Sequence, residues 1–233
     1  MKLNIGNSVF TGFNDKNGIM ICGYEWGFSK EDQKRADSNE ITSYNQDAET
    51  TFSNKTPSFG DISLSWPYDK KVIKFFELWG HPLSREKLGG DFEKCIIQTN
   101  WCNTQSYKIE GSYFKKLTDE EQLNNFIYHI KSLKPSIIFL MGSQMINILQ
   151  NSIVLNRFSE VMGQRLGRPT IKQKPYQGIR FKVGFQDFEH CTVISLPHPS
   201  SAVGLSYEYI SMFSDEIGKI LTDYKVKKGI PIK

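Results

Sequence analysis

Four short apolar runs recur along the chain, Ile19–Cys22, Cys95–Thr99, Ile137–Met141 and Thr192–Leu196, and each is followed at once by glycine, asparagine or proline. Runs of four to eight apolar residues bounded by turn formers read as strands buried on both faces. Between them the apolar positions switch to helical spacing. Tyr68, Val72, Phe75, Phe76 and Trp79 mark one helix, Leu123, Phe126, Ile127, Ile130 and Leu133 a second. A short helix runs through Met145, Ile146 and Leu149, and a final one through Tyr209, Ile210, Phe213, Ile217 and Leu221. Thr118-Asp119-Glu120-Glu121 has the form of a capping box in which Thr118 and Glu121 satisfy the first donors of the second helix. Lys134-Pro135 stops that helix. From Gly178 to Phe185 the residues Ile179, Phe181, Val183 and Phe185 alternate with others, as on a half-exposed strand or hairpin arm.

Strands separated by helices predict an α/β fold: a three-layer αβα sandwich around a central, mostly parallel four-stranded sheet, plus an extra strand or hairpin. No internal repeat is present, and residues 1–233 read as one domain. The exception to the pattern is 31–58, rich in Asp, Asn, Ser, Thr, Gln and Glu, which reads as a polar loop insertion.

Composition narrows the class. Hydrophobic residues at 39% and charged residues at 23% are those of a globular chain, which excludes wholesale disorder. No apolar run reaches the ~18 residues of a membrane span and no basic-then-apolar leader opens the chain, so a cytoplasmic monomer without a membrane partner is expected. Cys22, Cys95, Cys102 and Cys191 form no C-x-x-C pair and read as buried reduced thiols, so no metal or cluster and no cofactor is expected.

The net charge of +4 is unevenly spread. From Val161 to Gln186 there is no acid, while Arg165, Arg168, Lys172, Lys174, Arg180 and Lys182 contribute +6. Residues 225–233 read as a basic tail with +4 more, against −6 for the remainder. Such polarity fits a polyanion as partner.

In an open parallel sheet, ligands bind beyond the carboxyl ends of the strands. The segments that leave the four runs are Gly23-Tyr24-Glu25-Trp26-Gly27, Asn100-Trp101-Cys102-Asn103, Gly142-Ser143 and Pro197-His198-Pro199-Ser200-Ser201. They bring a carboxylate, a carboxamide, a hydroxyl and an imidazole to one rim. In this order the first, second and fourth segments resemble the three signatures of the uracil-DNA glycosylase superfamily: a glycine-bounded loop that holds the hydrolytic water, an Asn that reads a flipped base, and a His-Pro-Ser loop. The resemblance implies a monofunctional DNA glycosylase with DNA as partner. It places Glu25 at the water and His198 at the base as catalytic residues, and Asn100 on the base edge. Pro199, Ser200 and Ser201 fall in the loop that grips the DNA backbone. Trp26 stands where the family has Pro, and the apolar wedge is not at its usual offset, leaving Leu205 or equally Val203 for that task.

The residues suit the chemistry. A carboxylate orients water and stabilises an oxocarbenium-like sugar, an imidazole donates to the developing anion on the base, and a carboxamide matches a Watson–Crick edge. Phe59, with Tyr24 and Phe28 behind it, is the expected stacking surface. Ser143 at a helix start and the cations Arg165, Arg168, Lys172 and Lys174 are the expected phosphate contacts. Two other readings are a superfamily member that binds a base without hydrolysis, and an unrelated phosphate-ester hydrolase. The latter needs several Asp and His at the strand ends, which the sequence lacks.

Overall fold

The computed structural model describes residues 17–27, 30–38, 66–83, 90–106, 112–178 and 181–232. In chain order its elements are β1 (Ile19–Gly23), β2 (Trp26–Gly27), α1 (Lys30–Asp37), α2 (Pro67–Leu78), β3 (Ile96–Asn100), β4 (Gln105–Ser106), α3 (Tyr113–Thr118) and α4 (Glu120–Leu133). There follow β5 (Ile137–Met141), α5 (Met145–Leu149), α6 (Ser152–Met162), β6 (Thr170–Lys172), β7 (Val183–Asp187), β8 (Thr192–Leu196), α7 (Tyr207–Ser211) and α8 (Ser214–Lys228).

β1 and β5 are buried at every position. A strand with no polar alternate position needs an apolar layer on each face. Ile19, Ile21, Ile137 and Phe139 pack on one side with Val72 and Phe76 of α2 and Ile217 and Leu221 of α8. Met20, Cys22, Ile138 and Leu140 pack on the other with Phe126 and Ile130 of α4 and Phe158 of α6. The result is the expected αβα sandwich. Its sheet has the order β3-β1-β5-β8-β7-β6. The first four strands are parallel, and β7 is antiparallel to both β8 and β6. The extra hairpin is therefore β6–β7, and its second arm begins only at Val183. All four cysteines are buried and none is in a disulfide. Among the described residues no helix is long and apolar enough to cross a membrane.

Aromatic contacts fix where β3 ends. Trp101 is fully buried and stacks on Phe126 with ring centroids 3.7 Å apart. Its Nε1 donates to the Leu117 carbonyl at 3.0 Å, and Asn125 Nδ2 donates to the Trp101 carbonyl at 2.8 Å. The chain leaving β3 is thus bolted to α3 and α4, which holds Asn100 at the rim.

Several expectations are corrected. The final helix is two, because Ser206 caps α7, which ends at Ser211 before α8 begins. Helix α8 continues through Lys228, so 225–228, which hold three of the four lysines of that segment, are helix rather than a basic tail. Lys225 is 6% exposed, with Nζ 4.1 Å from the Phe92 ring centroid, and the lysines of this last turn lie at the negative end of the helix dipole. The polar 31–58 segment begins as helix α1, and its residues from 39 onward lie outside the described residues.

The capping box is shifted by one residue. Asp119, not Thr118, caps α4 by accepting from the backbone N–H of Glu121 and Gln122. Thr118 ends α3 and its hydroxyl donates back to the Phe114 carbonyl at 2.9 Å. A carboxylate reaches the N-terminal donors of a helix better than a hydroxyl already committed to the preceding turn. Asp119→Ala is therefore expected to cost about 1 kcal/mol of unfolding free energy in urea, and Thr118→Ala only a few tenths. The reverse ranking would restore the capping box.

Candidate functional site

The parallel strands deliver the segments after β1, β3, β5 and β8 to one rim. Asn100, the last residue of β3, is in register with Gly23, the last of β1. A Cβ added to Gly23 would lie 2.3 Å from Asn100 Oδ1, so the carboxamide occupies the space that the glycine leaves. Asn100 is 6% exposed, and its carboxamide makes no hydrogen bond among the described residues.

His198 follows β8. Its Nδ1 accepts from the backbone N–H of Ser200 at 3.3 Å and of Ser201 at 3.2 Å. A nitrogen used as acceptor carries no proton, so the proton resides on Nε2. Burial, helped by the charge of Lys71, pushes the imidazole pKa down to about 4, which makes the ring a neutral Nε2–H donor near pH 7. Lys71 Nζ in turn donates to the Pro199 carbonyl at 2.7 Å and ties this loop to α2. Tyr68, one turn earlier on α2, has its ring centroid 5.7 Å from that of His198.

Glu25 stands between the chain leaving β3 and helix α3. Its Oε2 accepts from Thr104 Oγ1 at 2.7 Å and from Lys116 Nζ at 2.5 Å, and its side chain is 5% exposed. The hydroxyls of Tyr24 and Tyr68 are buried without a hydrogen-bond partner among the described residues. A buried hydroxyl without a partner costs about 1–3 kcal/mol, so two of them near one rim are unmet hydrogen-bonding capacity.

No protein-family model and no curated protein matches this chain. The rim geometry therefore carries the functional argument alone.

The sequence-predicted residues divide into three groups. Glu25, Asn100, His198, Pro199, Ser200, Ser201 and Ser143 all reach the rim. Ser200 and Ser201 set the His198 tautomer through their N–H groups. Ser143 donates its hydroxyl to the Lys182 carbonyl at 2.7 Å and so clamps the start of β7.

A second group reaches the rim in other roles. Tyr24 is not an open stacking surface: its ring lies on Tyr113, centroids 4.5 Å apart at 18°, with Lys116 Nζ 5.8 Å from the same ring. Its hydroxyl is buried as well. Leu205 is half-buried against the core and unsuited as a wedge, whereas Val203 in the same loop is 93% exposed. Lys172 and Lys174 both pair with Glu216 of α8, and Lys174 also donates to the Met212 carbonyl. They brace the hairpin against α8.

The third group lies elsewhere. Arg165 bridges to Phe188, past the end of β7 and beside the start of β8, so it belongs to the opposite rim, with Arg168 between it and β6. The basic run thus climbs from one rim to the other instead of flanking the site. Phe28 and Phe59 lie outside the described residues, as does the side chain of Trp26.

Tyr68, Lys71, Thr104 and Lys116 are the site residues that sequence reasoning missed. Tyr68 sits in the apolar stripe of α2 and reads as core. The helical spacing of Tyr68, Lys71 and Phe75 was the available signal, since it puts a cation and a phenol on one face.

Two outcomes follow. His198 and His129, the latter wholly buried and also lowered to about 4 by desolvation, refuse protons in the native state that the unfolded chain takes up below its pKa of 6.5. The unfolded state binds more protons in this window, so stability falls as pH drops from about 6.5 to 4, by up to about 3 kcal/mol for each group. Urea midpoints at pH 7 and 4.5 should show this loss, and His198→Asn should remove its share. Gly23→Ala should shift the Asn100 side-chain amide resonances and cost about 1–3 kcal/mol through overpacking. Unchanged resonances would place the carboxamide away from Gly23.

Proposed function

We propose that this chain is a monofunctional DNA glycosylase, acting as a cytoplasmic monomer, that hydrolyses the N-glycosidic bond of uracil or a related modified base in DNA. The observation that carries the reading is His198: a neutral imidazole whose Nδ1 is held by two backbone N–H groups, on the same rim as an Asn100 carboxamide with no hydrogen-bond partner among the described residues. Breaking the glycosidic bond leaves the electron pair on the base and positive charge on the sugar. A neutral Nε2–H donor stabilises the charge that develops on a base carbonyl. The carboxamide offers one donor and one acceptor to the base edge. Glu25 orients the water whose oxygen joins C1′ and accepts the water proton, leaving an abasic sugar and the free base. Thr104 and Lys116 position that carboxylate. Val203, the exposed apolar residue of the His198 loop, is suited to fill the vacated stack.

One observation favours the second reading, a base-binding module without hydrolysis. Both the Thr104 and the Lys116 contacts fall on the same Glu25 oxygen and turn the carboxylate toward α3.

The test is incubation with single- and double-stranded oligonucleotides carrying different bases, scored for alkali-labile sites. A glycosylase should yield abasic product that falls about 100- to 1,000-fold in His198→Ala and is abolished in Glu25→Ala. Tight base-dependent binding without abasic product from any substrate would leave the binding module.

A further inference from the structure

Beyond His198 the same face of α2 borders a cleft of about 390 Å³ lined by Lys71, Phe75, Leu205, Ser206, Tyr207 and Glu208. Tyr68, Lys71 and Phe75 lie three and four residues apart, so they form one stripe along α2. At 1.5 Å per residue the cleft begins about 5 Å beyond Tyr68 and extends to about 10 Å. The loop from His198 to Ser206 separates the two places, held to α2 by the Lys71–Pro199 hydrogen bond.

The walls of the cleft have a definite chemistry. Phe75 and Leu205 provide an apolar floor, and Tyr207 is 40% exposed at the mouth. Ser206 is spent on capping, since its Oγ accepts from the Tyr209 N–H at 3.1 Å. Glu208 Oε2 accepts from the Tyr176 phenol, while its other oxygen has no partner among the described residues. A flat aromatic ligand with an exocyclic amine suits this set: it stacks on Tyr207 and donates to Glu208.

We infer that this cleft is a subsite for an unpaired nucleobase next to the one held at His198 and Asn100, so that the substrate is engaged as a single strand. The inference rests on the glycosylase or base-binding reading of the rim. A neighbour in a duplex stays paired and stacked and cannot enter the cleft, whereas a neighbour in a single strand is free to do so. Tyr207 is a specificity residue in this account and takes no part in bond breaking. Glu208 favours an amino-bearing neighbour such as cytosine over thymine.

The experiment is fluorescence anisotropy at low salt with single-stranded oligonucleotides carrying 2′-fluoro-deoxyuridine, whose electron-poor sugar resists cleavage. The residue on either side is cytosine, thymine or an abasic spacer. Tyr207→Ala should weaken binding about tenfold, within the range of about 5- to 150-fold for loss of one stacked base, when a base flanks the uracil. It should change nothing when the spacer flanks it, and Tyr207→Trp should retain the affinity. An equal loss with base and spacer, or no loss at all, would overturn the subsite. Binding that depends on Tyr207 without cleavage of an ordinary uracil oligonucleotide would keep the subsite and remove the glycosylase. Cleavage that is indifferent to Tyr207 would do the opposite. No binding to any single strand would overturn the subsite alone, because a glycosylase that acts on duplex DNA survives that result.

Discussion

β1 and β5 have no side that can face water, and this constraint governs the rest of the molecule. Both faces of these strands must be covered, so helices close over the sheet on either side and no ligand reaches a side chain there. The strand ends remain. Backbone groups just past a strand lose their ladder partners, and polar side chains placed there have access to solvent and to one another. The chemistry of the chain therefore gathers at one edge of the sandwich.

At that rim polar groups are arranged in two neighbouring sets. Glu25, Thr104 and Lys116 belong to the β3 side, where α3 supplies the cation. His198, Tyr68 and Lys71 belong to the β8 side, where α2 supplies it. Between them the Gly23–Asn100 pair uses the smallest possible residue on one strand to seat a carboxamide from the next. The two lysines act differently. Lys116 pairs directly with a carboxylate. Lys71 bonds a carbonyl, and its charge adds to burial in keeping the nearby imidazole neutral. A neutral ring with a fixed tautomer is a hydrogen-bond donor whose orientation is already set before a ligand arrives.

How much of this was legible follows from what each signal depends on. The strands were readable because double-sided burial leaves uninterrupted apolar runs, and the helices because single-sided burial leaves a stripe. Asn100 and His198 were readable as strand-end residues once the strands were placed. Tyr68 was not, since its spacing is that of the core stripe and only its neighbour across the rim distinguishes it from Phe75. The covering of the Tyr24 ring was not legible either, because Tyr113, which stacks on it, comes from a helix about ninety residues away in sequence.

The sequence by itself determined the αβα class, the strand ends and the residue types presented there, because those depend on local patterns of burial and turn formation. Only the tertiary structure decided which charges act together. The run from Arg165 to Lys182 looks continuous along the chain, yet the hairpin reverses it across the sheet. Arg165 goes to the far rim, and Lys172 and Lys174 go to Glu216. Charge along a chain is additive, but electrostatic action depends on distance in space, and that is set by how the strands pair.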